Sequence, residues 1–433
     1  MTGPTARVLC LPTEFDVREE ADRLGVPFTD LEMLVGAVGL RAVKLERVSP
    51  AVAATLKTMV PDTLGLVVAS EAGTRKQDSE LRTQNPELGS QDSGLRTQDS
   101  LPGDSVDVVI AAPLPLLMDV AAGLAGGVED EKATAEALRI TLDRYQGKQM
   151  GATRCGNLTL EWGKRSYVMG IINVTPDSFS GDGLGTNLEA AVEQGRRFVE
   201  EGADILDVGG ESTRPGSEPV PVKEELARVV PVIRRLAQEV SVPISVDSYK
   251  LLVVQEALEA GASMINDVWG LRRTEGLGSL AAAYDVPIVL MHNRRGEVTR
   301  SAIGGHFKGV QYRDLMGEIV QGLRESIDLA LRSNVKWENI IVDPGLGFGK
   351  TPPQNLVVMR RLAELKSLGR PILMGTSRKS TIGMVLGLPP EERVEGTAAT
   401  VAISIANGAD IVRVHDVKEM ARVARMTDAI VRA

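Results

Sequence analysis

Eight short apolar runs recur along the second half of the chain, and each run is followed at once by polar or charged residues. The runs are VMGIIN, DILDVGG, PISVD, SMIND, PIVLMH, NIIVD, PILMG and DIVRVH, and stretches with helical periodicity separate them. Eight strands that alternate with eight helices predict a (β/α)8 barrel, also called a TIM barrel. Because active sites of such barrels lie at the carboxyl ends of the strands, the residues that follow these runs are the candidate functional residues.

The first 150 residues have a different pattern, in which short strand-like and helix-like segments alternate. We predict strands in ARVLCL, AVKLERV and LGLVVAS, a strand followed by a helix in DVVIAAPLPLLMDVAAGLAGG, and helices in FTDLEMLVGAVGL, SPAVAATLKTMV and EDEKATAEALRITLDRYQG. Ser49 followed by Pro50 is typical of a helix N-terminus. The sequence therefore predicts a smaller α/β domain over residues 1–150 and the barrel over residues 151–433.

Residues 72–105 interrupt the smaller domain. The words QDS and LRTQ recur there, and aliphatic residues are reduced to scattered leucines. Such a segment buries too little apolar surface to offset the entropy of its own chain, so we expect it to be disordered. An inert insertion is favoured over a binding tail.

Two further patterns concern the barrel itself. The segment NLTLEWGKRSYV alternates as a β-hairpin does, with Gly163 at the expected turn, and such a hairpin could close the lower end of the barrel. Apolar residues at helical spacing near the C-terminus are predicted to be packing residues. They are Val417, Met420, Val423, Met426 and Ile430.

Length, charge and cysteine content narrow the possible functions. A chain of 433 residues can hold one barrel of about 250 residues and a second domain. The formal charge of −9 argues against nonspecific binding to nucleic acid or to an anionic membrane. Cys10 and Cys155 lack metal-ligand spacing, and we find neither a signal peptide nor an apolar run long enough to span a bilayer. We therefore expect a cytoplasmic protein.

The carboxylates form the first candidate set. Asp247 and Asp343 each end an apolar strand, where an unpaired carboxylate is costly to desolvate, and Asn266 ends the strand between them in the barrel order. Two acids and an amide suit a flat heterocycle with an amino-pyrimidinone edge, which presents several adjacent N–H groups. The alternative is that each aspartate caps the following helix, and we disfavour that alternative for the set as a whole.

Cations also follow the strand ends, although the protein is acidic overall, and this concentration predicts an anionic substrate. The members are Arg214, Arg294, Arg295, Arg378, Lys379, Arg413 and His415. We interpret Arg214 and Arg413 as functional, and Arg294 and Arg295 as solvated residues of the rim. Ser212 and Thr213 in the ESTRPG segment are candidates for hydrogen bonds to phosphate oxygens.

The loop after the first barrel strand is polar and rich in glycine. Asn173, Asp177 and Asp182 offer oxygen ligands of the kind that Mg²⁺ uses when it also binds substrate phosphates. Phe179 is one of six phenylalanines and lies in this loop, where an aromatic ring favours a role in shielding a ligand.

Taken together, these segments resemble the dihydropteroate synthases. The matching words are GIINVTPDSFS, DVGGESTRPGS, PISVDSYK, INDV, VLMH, DPGLGFGK, GTSRKS and RVHDV, in the order of that family and over roughly residues 156–433. Eight co-linear matches are far more specific than a single glycine motif. The N-terminal part resembles an accessory extension of some bacterial members.

The resemblance implies a TIM barrel, a homodimer and a reaction of folate biosynthesis. In that reaction 6-hydroxymethyl-7,8-dihydropterin diphosphate condenses with p-aminobenzoate to give dihydropteroate and pyrophosphate. Motif by motif, the resemblance implies three binding sites: one for the pterin, one for the diphosphate and one for p-aminobenzoate. It also implies that Arg413 packs on the face of the pterin ring and that Asn173 binds Mg²⁺ at the diphosphate site. The implied pterin residues are Asp247, Asn266, Met291, Asp343, Phe348, Gly375 and Lys379; the diphosphate residues are Asn173, Thr213, Arg413 and His415; the p-aminobenzoate residues are Phe179, Arg214, Pro215 and Ser380.

Two segments of the barrel depart from the family pattern. The first loop reads SFSGDG where the family has SFSDGG, which displaces Asp182 by one position. The segment MHNRRG carries one residue more than the family's MHMxG.

Two other functions remain as alternatives. A methyltetrahydrofolate–corrinoid methyltransferase would share the acids and the amide, but it has no need of ESTRPG or of the lysine in GTSRKS. A catalytically silent scaffold barrel would be favoured by the loss of a key residue, and the sequence retains all of them.

Overall fold

The computed structural model separates into two compact units, Met1–Tyr145 and Gln146–Ala433. The residues that it describes are 3–11, 14–25, 40–61, 65–70, 105–148, 150–174, 184–211, 219–294 and 310–432. The predicted helix FTDLEMLVGAVGL lies outside these residues except for its last residue, Leu40. The tract at 72–105 lies outside them except for Ser105.

The first unit is built on one antiparallel sheet, whose strands are β1 (Thr5–Leu9), β2 (Leu40–Val48), β3 (Leu66–Ala69) and β4 (Val106–Pro113). They lie in the order β1-β2-β4-β3. The helices among its described residues are α1 (Glu14–Leu24), α2 (Pro50–Met59), α3 (Leu114–Leu124) and α4 (Glu129–Tyr145). This order of elements confirms the small N-terminal α/β fold.

The helices of the first unit cover both faces of the sheet. Leu56, Leu117 and Leu138, from α2, α3 and α4, pack on one face, and α1 packs on the other. The predicted start of α2 is confirmed, because the Ser49 side chain accepts a hydrogen bond from the Val52 N–H. Sequence analysis missed α1, although Val17, Ala21 and Leu24 follow helical spacing.

The second unit is a parallel eight-stranded barrel, as predicted. Its strands are β7 (Tyr167–Asn173), β8 (Ile205–Gly209), β9 (Ile244–Asp247), β10 (Met264–Asp267), β11 (Ile288–Met291), β12 (Ile340–Asp343), β13 (Leu373–Met374) and β14 (Ile411–Val414). They lie in the order β12-β11-β10-β9-β8-β7-β14-β13, and a parallel bridge between Val342 and Ile372 closes the ring.

Helices follow the strands and bury their apolar stripes against the outside of the barrel. They are α5 (Leu184–Glu201), α6 (Val222–Glu239), α7 (Leu251–Glu259), α8 (Leu277–Ala283), α9 (Leu315–Arg332), α10 (Pro352–Arg360), α11 (Ser380–Leu386), α12 (Val394–Ala406) and α13 (Val417–Val431). Short 3₁₀ turns occur at Trp337–Asn339, Leu362–Leu368 and Pro390–Glu392. None of the described helices is long and apolar enough to cross a membrane.

A hairpin closes the N-terminal end of the barrel. It consists of β5 (Ala152–Cys155) and β6 (Leu158–Glu161), and its residues pack with the lowest inward side chains of the strands. The predicted turn at Gly163 is wrong, because the two strands are joined by Gly156 and Asn157. Gly156 has a φ of 57° and supplies the left-handed conformation that this two-residue turn requires. Gly163 instead lies in the link to β7.

The packing predicted for the last helix holds over only part of its length. Val417 and Met420 are buried, whereas Met426 and Ile430 are 64% and 68% exposed. The stripe therefore continues beyond the area that the barrel covers, and its C-terminal half faces outward.

Candidate active site

The inward positions at the carboxyl ends of four strands carry polar side chains that converge on one another. Arg413 on β14 donates from Nε to Asp207 Oδ2 at 2.5 Å and from Nη2 to Asp247 Oδ2 at 2.7 Å. Asn266 donates from Nδ2 to the same Asp207 oxygen at 3.0 Å. One guanidinium and one amide thus link residues of β8, β9, β10 and β14 across the mouth of the barrel.

Asp207, the fully buried member of this network, was not predicted from the sequence. It lies inside the run DILDVGG, whereas the candidates were sought after each run. The sequence did contain an indication of its role, because an aspartate in the middle of a buried strand needs hydrogen-bond donors around it. Its inward direction follows from strand parity, since Ile205 and Asp207 are two residues apart.

The ionisation of this network is set by its burial. Burial raises the pKa of Asp247 to about 7, because desolvation and the neighbouring Asp207 outweigh the attraction of Arg413. Desolvation opposes the charge on Arg413, but Asp207 and Asp247 together raise the pKa of the guanidinium above its usual value. Arg413 therefore stays cationic, and its Nη1 makes no hydrogen bond to the described residues. This nitrogen remains available to an anion.

Asp343 occupies the equivalent position on β12. It is 7% exposed, and its Oδ1 accepts a hydrogen bond of 2.7 Å from the Gly345 N–H. Burial raises its pKa, while the Gly345 N–H and the charge of Lys379 act in the opposite direction. Because only one of its oxygens is engaged in this way, the carboxylate keeps an acceptor for a ligand.

Lys379 and an apolar cluster form the next part of the mouth. The Lys379 Nζ lies 5.0 Å from the centroid of the Phe348 ring, and its charge acts on both Asp247 and Asp343. Phe348 packs with Met291 and Val268. The two predicted acids, the predicted lysine and the two predicted apolar residues are thus brought to one end of the barrel.

His415 lies beside this network on the side of Lys379. Its Nδ1 is 3.0 Å from the Ser377 hydroxyl, and its backbone N–H donates to the same oxygen at 3.1 Å. Burial and the positive charge of Arg413 lower the pKa of the imidazole to about 3, so the ring is neutral. A neutral imidazole can offer one N–H to an anion but adds no charge.

The other predicted residues fall into two groups. Gly375 faces open space, because a Cβ added there would meet no atom within 4 Å, and Ser380 is exposed at the start of α11. Asn173 is half-buried at the end of β7, and its side chain makes no hydrogen bond within the described residues. The remaining candidates lie outside the described residues: Asp177, Phe179, Asp182, Ser212, Thr213, Arg214, Pro215 and Arg295.

The interpretation of Arg294 as a solvated residue is wrong. Its Nη1 donates to Glu318 Oε2 at 2.7 Å, its guanidinium lies 4.9 Å from the Tyr312 ring centroid, and its side chain is only 23% exposed. Arg294 is therefore part of the packing beside the mouth.

Arg378, another predicted cation, is engaged by the next loop. It has a φ of 56° and donates from Nε to Asp416 Oδ2 at 3.0 Å, with a second close contact from Nη2 to Asp416 Oδ1. This bidentate pair connects the residue before Lys379 to the residue after His415. It fixes the two loops that carry those side chains.

The alternative that the aspartates serve as helix caps is not supported at Asp247. The next helix begins at Leu251 with Lys250 at its N-cap, and the Asp247 carboxylate is directed to Arg413 instead. Lys250 itself binds Glu211 Oε2 at 2.6 Å and the Val220 carbonyl at 2.5 Å. It thereby links the first residue of the ESTRPG segment, Glu211, to Val220 beyond that segment, a role that was not predicted from the sequence.

Comparisons with known proteins show which family the barrel resembles. The family described as pterin binding enzyme matches residues 169–415. A dihydropteroate synthase of Clostridium beijerinckii is 49% identical over 280 residues, which are 64% of this chain and 99% of that protein. The corresponding protein of Bacillus subtilis is 50% identical over 271 residues, which are 63% of this chain and 90% of that protein.

Solved structures give the same result. A dihydropteroate synthase from Clostridium difficile, crystallised with pteroic acid, is 51% identical with a TM-score of 0.59; the match covers 63% of this chain and 99% of that one. The Xanthomonas albilineans enzyme with 4-aminobenzoic acid is 42% identical with a TM-score of 0.59, over 65% of this chain and 98% of that one. The chain therefore belongs to the pterin-binding enzymes and, within them, to the dihydropteroate synthases.

Proposed function

We propose that the mouth of the barrel binds 6-hydroxymethyl-7,8-dihydropterin diphosphate and p-aminobenzoate and joins them into 7,8-dihydropteroate. The observation that carries this proposal is the convergence of Asp207, Asp247 and Arg413 in one network, with Asp343 and Lys379 beside it. Carboxylates that keep free acceptors suit the N–H edge of a pterin. Lys379 is then a hydrogen-bond donor to the ring.

The proposed reaction begins with cleavage of the C–O bond between the pterin methylene and the diphosphate. The electron pair leaves with the diphosphate oxygen, and positive charge develops on the methylene carbon. The amine nitrogen of p-aminobenzoate then forms the new C–N bond and releases a proton. Because the arylamine is already a nucleophile, the reaction needs no activating triad.

The side chains of the mouth serve the two developing charges separately. Asp247 and Asp343 stabilise the cationic pterin, while Arg413 stabilises the departing diphosphate together with the neutral His415. Arg413 already holds two carboxylates, so its position between the acids and the anion is fixed before the substrate binds. Such preorganisation is the main source of stabilisation expected for charge that develops in a transition state.

Mg²⁺ fits this site on the side of Asn173. This amide is half-buried at a strand end, and it makes no hydrogen bond to the described residues, so its oxygen is available as a ligand. No group of three or more metal-binding side chains occurs among the residues that the structure describes. Mg²⁺ needs few protein ligands when substrate phosphates and water complete its shell, and it then neutralises phosphate charge.

A homodimer is part of the same proposal. Large apolar side chains are exposed on α11, α12 and α13, which pack side by side, and such a patch is typical of a protein–protein interface. Its members are Met384, Val385, Ile403, Met426 and Ile430, which are between 53% and 68% exposed. A second copy of this chain is the proposed occupant, and sedimentation of Met426→Lys and Ile430→Lys variants as monomers would support it.

The function is tested with the full chain, Mg²⁺, the pterin diphosphate and p-aminobenzoate. The expected result is the release of one pyrophosphate per dihydropteroate formed, with loss of turnover when the metal is removed by chelation and recovery on its return. Folded protein that releases no pyrophosphate would reject the proposal. Turnover that persists after chelation would reject the metal alone.

A further inference from the structure

Lys350 is a buried lysine that the proposed reaction does not use, and burial lowers the pKa of its amino group to about 7. It follows the loop 344–349 after β12, and only 7% of it is exposed. Its Nζ lies 2.9 Å from His292 Nδ1 and 3.0 Å from the Gly345 carbonyl oxygen, with the carbonyls of His292 and Phe348 each at 3.4 Å. A buried nitrogen surrounded by four acceptors is a point of convergence for the ends of β11 and β12.

The first contact leads to Asp343 through Gly345. The carbonyl of Gly345 accepts from Lys350, and its N–H donates to Asp343 Oδ1 at 2.7 Å. Gly345 has a φ of 68°, and a Cβ added there would lie 2.1 Å from the His292 carbonyl oxygen. The loop is therefore pressed onto the end of β11, and a shift of Gly345 would move the donor that orients the Asp343 carboxylate.

The second contact leads to the apolar wall of the mouth. Lys350 reaches the carbonyl of Phe348, whose ring packs with Met291 and faces the Lys379 Nζ. Holding this peptide therefore limits the positions that the ring can take. The same lysine thus reaches both an acid and an aromatic ring of the proposed pterin site, although it touches neither side chain.

His292 provides a rigid anchor for the other side of the contact. Its ring packs on α9, where a Cβ added at Gly322 would lie 2.9 Å from His292 Cδ2. Burial and the positive charge of Lys350 hold the pKa of the imidazole well below its usual value, so the ring is neutral. With Lys350 as the donor, Nδ1 is the acceptor and the ring proton is on Nε2.

We propose that Lys350 is a positioning residue for pterin recognition, which fixes Asp343 and Phe348 by tying their loop to His292. This inference rests on the proposed pterin site and adds a residue that acts on the substrate only through others. The contacts also explain why the Lys350 side chain is buried. The sharply turned loop leaves backbone carbonyls without partners in a strand, and the N–H groups of Nζ donate hydrogen bonds to them.

The test uses Lys350→Met, which keeps the length of the side chain and removes its donors. The matched control is Lys336→Met, at the opposite end of β12, where the lysine is 55% exposed and pairs with Asp285. We expect Lys350→Met to raise the KM for the pterin diphosphate at least ~10-fold, as expected for the loss of buried hydrogen bonds, with the KM for p-aminobenzoate changed less than ~3-fold. The control should leave both values unchanged.

Hydrogen exchange gives a readout that does not depend on activity. In the wild type the Gly345 N–H is held by Asp343, so Lys350→Met should accelerate exchange in a peptide covering residues 343–351, and Lys336→Met should not. If wild-type protein releases no pyrophosphate, the proposed function fails, and the exchange comparison still tests the positioning role.

Two results would overturn the positioning role. One is a folded Lys350→Met variant with an unchanged pterin KM and unchanged exchange; the other is an equal loss for both substrates that follows the fraction of folded protein. Should Lys350→Met not fold, Lys350→Arg replaces it, because a larger head group at the same place should also raise the pterin KM selectively. An unchanged pterin KM in that variant would contradict the proposal.

Discussion

The two ends of the barrel interior differ sharply, although the same strands build both. At the lower end the inward residues are apolar and pack with the β5–β6 hairpin, whereas two residues further along the strands the inward residues include charges. Ile205 precedes Asp207 in this way, Met264 precedes Asn266, Ile341 precedes Asp343, and Ile411 precedes Arg413.

The apolar layer and the charged layer are only about 6.5 Å apart, which is the length of two residues of a strand. The lower layer gains free energy from apolar burial, which does not depend on pH. The upper layer contains Asp247, whose charged form is disfavoured by desolvation, and the proposed function gives a reason why such a group is present there. Substitutions in the upper layer should therefore lower catalytic activity, whereas substitutions in the lower layer should lower the free energy of unfolding.

The largest effect is expected on catalysis at the upper level. Asp247→Asn keeps the shape of the side chain but removes the charge that would stabilise the pterin cation. We expect kcat/KM for the pterin diphosphate to fall by about 10²- to 10³-fold, as for the loss of one preorganised electrostatic group. Steady-state kinetics on protein shown to be folded by circular dichroism checks this, and a decrease of less than fivefold would contradict the site.

The next effect is on stability at the lower level. Ile341→Ala removes a fully buried side chain from the apolar layer and should lower the free energy of unfolding by about 2–5 kcal/mol. The kinetic constants of the folded enzyme should stay close to those of the wild type at low temperature. Denaturant titration and kinetics together test this, and a selective loss of pterin affinity would show that the two levels are not independent.

The free energy of unfolding should depend on pH through Asp247 in the upper layer. Because the pKa of Asp247 is raised from 3.8 to about 7, the folded protein binds a proton there between about pH 4 and 7 that the unfolded chain does not hold. The free energy of unfolding should therefore fall as the pH rises through this range. Asp247→Asn lacks this penalty and should be more stable than the wild type at pH 8, by about 1–4 kcal/mol.

This stability advantage should shrink as the pH is lowered toward 5, where Asp247 in the wild type is protonated and equally uncharged. Thermal unfolding of both proteins from pH 5 to 8 measures the difference. A constant difference over the whole range would mean that Asp247 keeps an ordinary pKa. A variant that loses activity and gains stability would identify the acid as functional.

A smaller effect is expected beside the mouth. Arg294→Ala removes an ion pair to Glu318 and a contact with the Tyr312 ring, which together should contribute about 1 kcal/mol or less. Turnover should remain within about threefold of the wild type, because this guanidinium is engaged by protein groups. A loss comparable with that of Asp247→Asn would show that Arg294 contacts substrate.

The smallest effect is expected in the N-terminal unit. Deletion of residues 74–103 should leave kcat and both KM values unchanged, because the segment is a low-complexity insertion outside the barrel. Activity assays of the shortened chain test this. A large loss of turnover would show that the insertion acts on the enzyme.

The sequence predicted most of the fold, because strand and helix periodicities are local signals. Asp247, Asp343, Lys379 and Arg413 were found since each stands at or just past an apolar run. Asp207 was not found because its strand is uniformly buried, so polarity within the run rather than after it was the clue. A single aspartate within an apolar run is a weak indication of function on its own. It becomes informative only when the fold brings its hydrogen-bond donors, Arg413 and Asn266, next to it.

The remaining misses depended on contacts between distant segments. Arg294 binds Glu318, which lies 24 residues later in the chain, and Lys350 is buried against His292 at the end of β11. Neither contact has a local signature in the sequence. The hairpin turn was misplaced for a different reason, because Gly156 and Gly163 both allow a reversal, and only strand pairing selects between them.

A crystal structure of the full chain with a bound pterin would show whether the two aspartates at the mouth of the barrel recognise the ring. We expect the N–H edge of the ring to lie within hydrogen-bond distance of the Asp247 and Asp343 carboxylates, with Lys379 on the same ring and the Phe348 side chain along it. A pterin bound elsewhere, with these acids still paired only to protein groups, would contradict it.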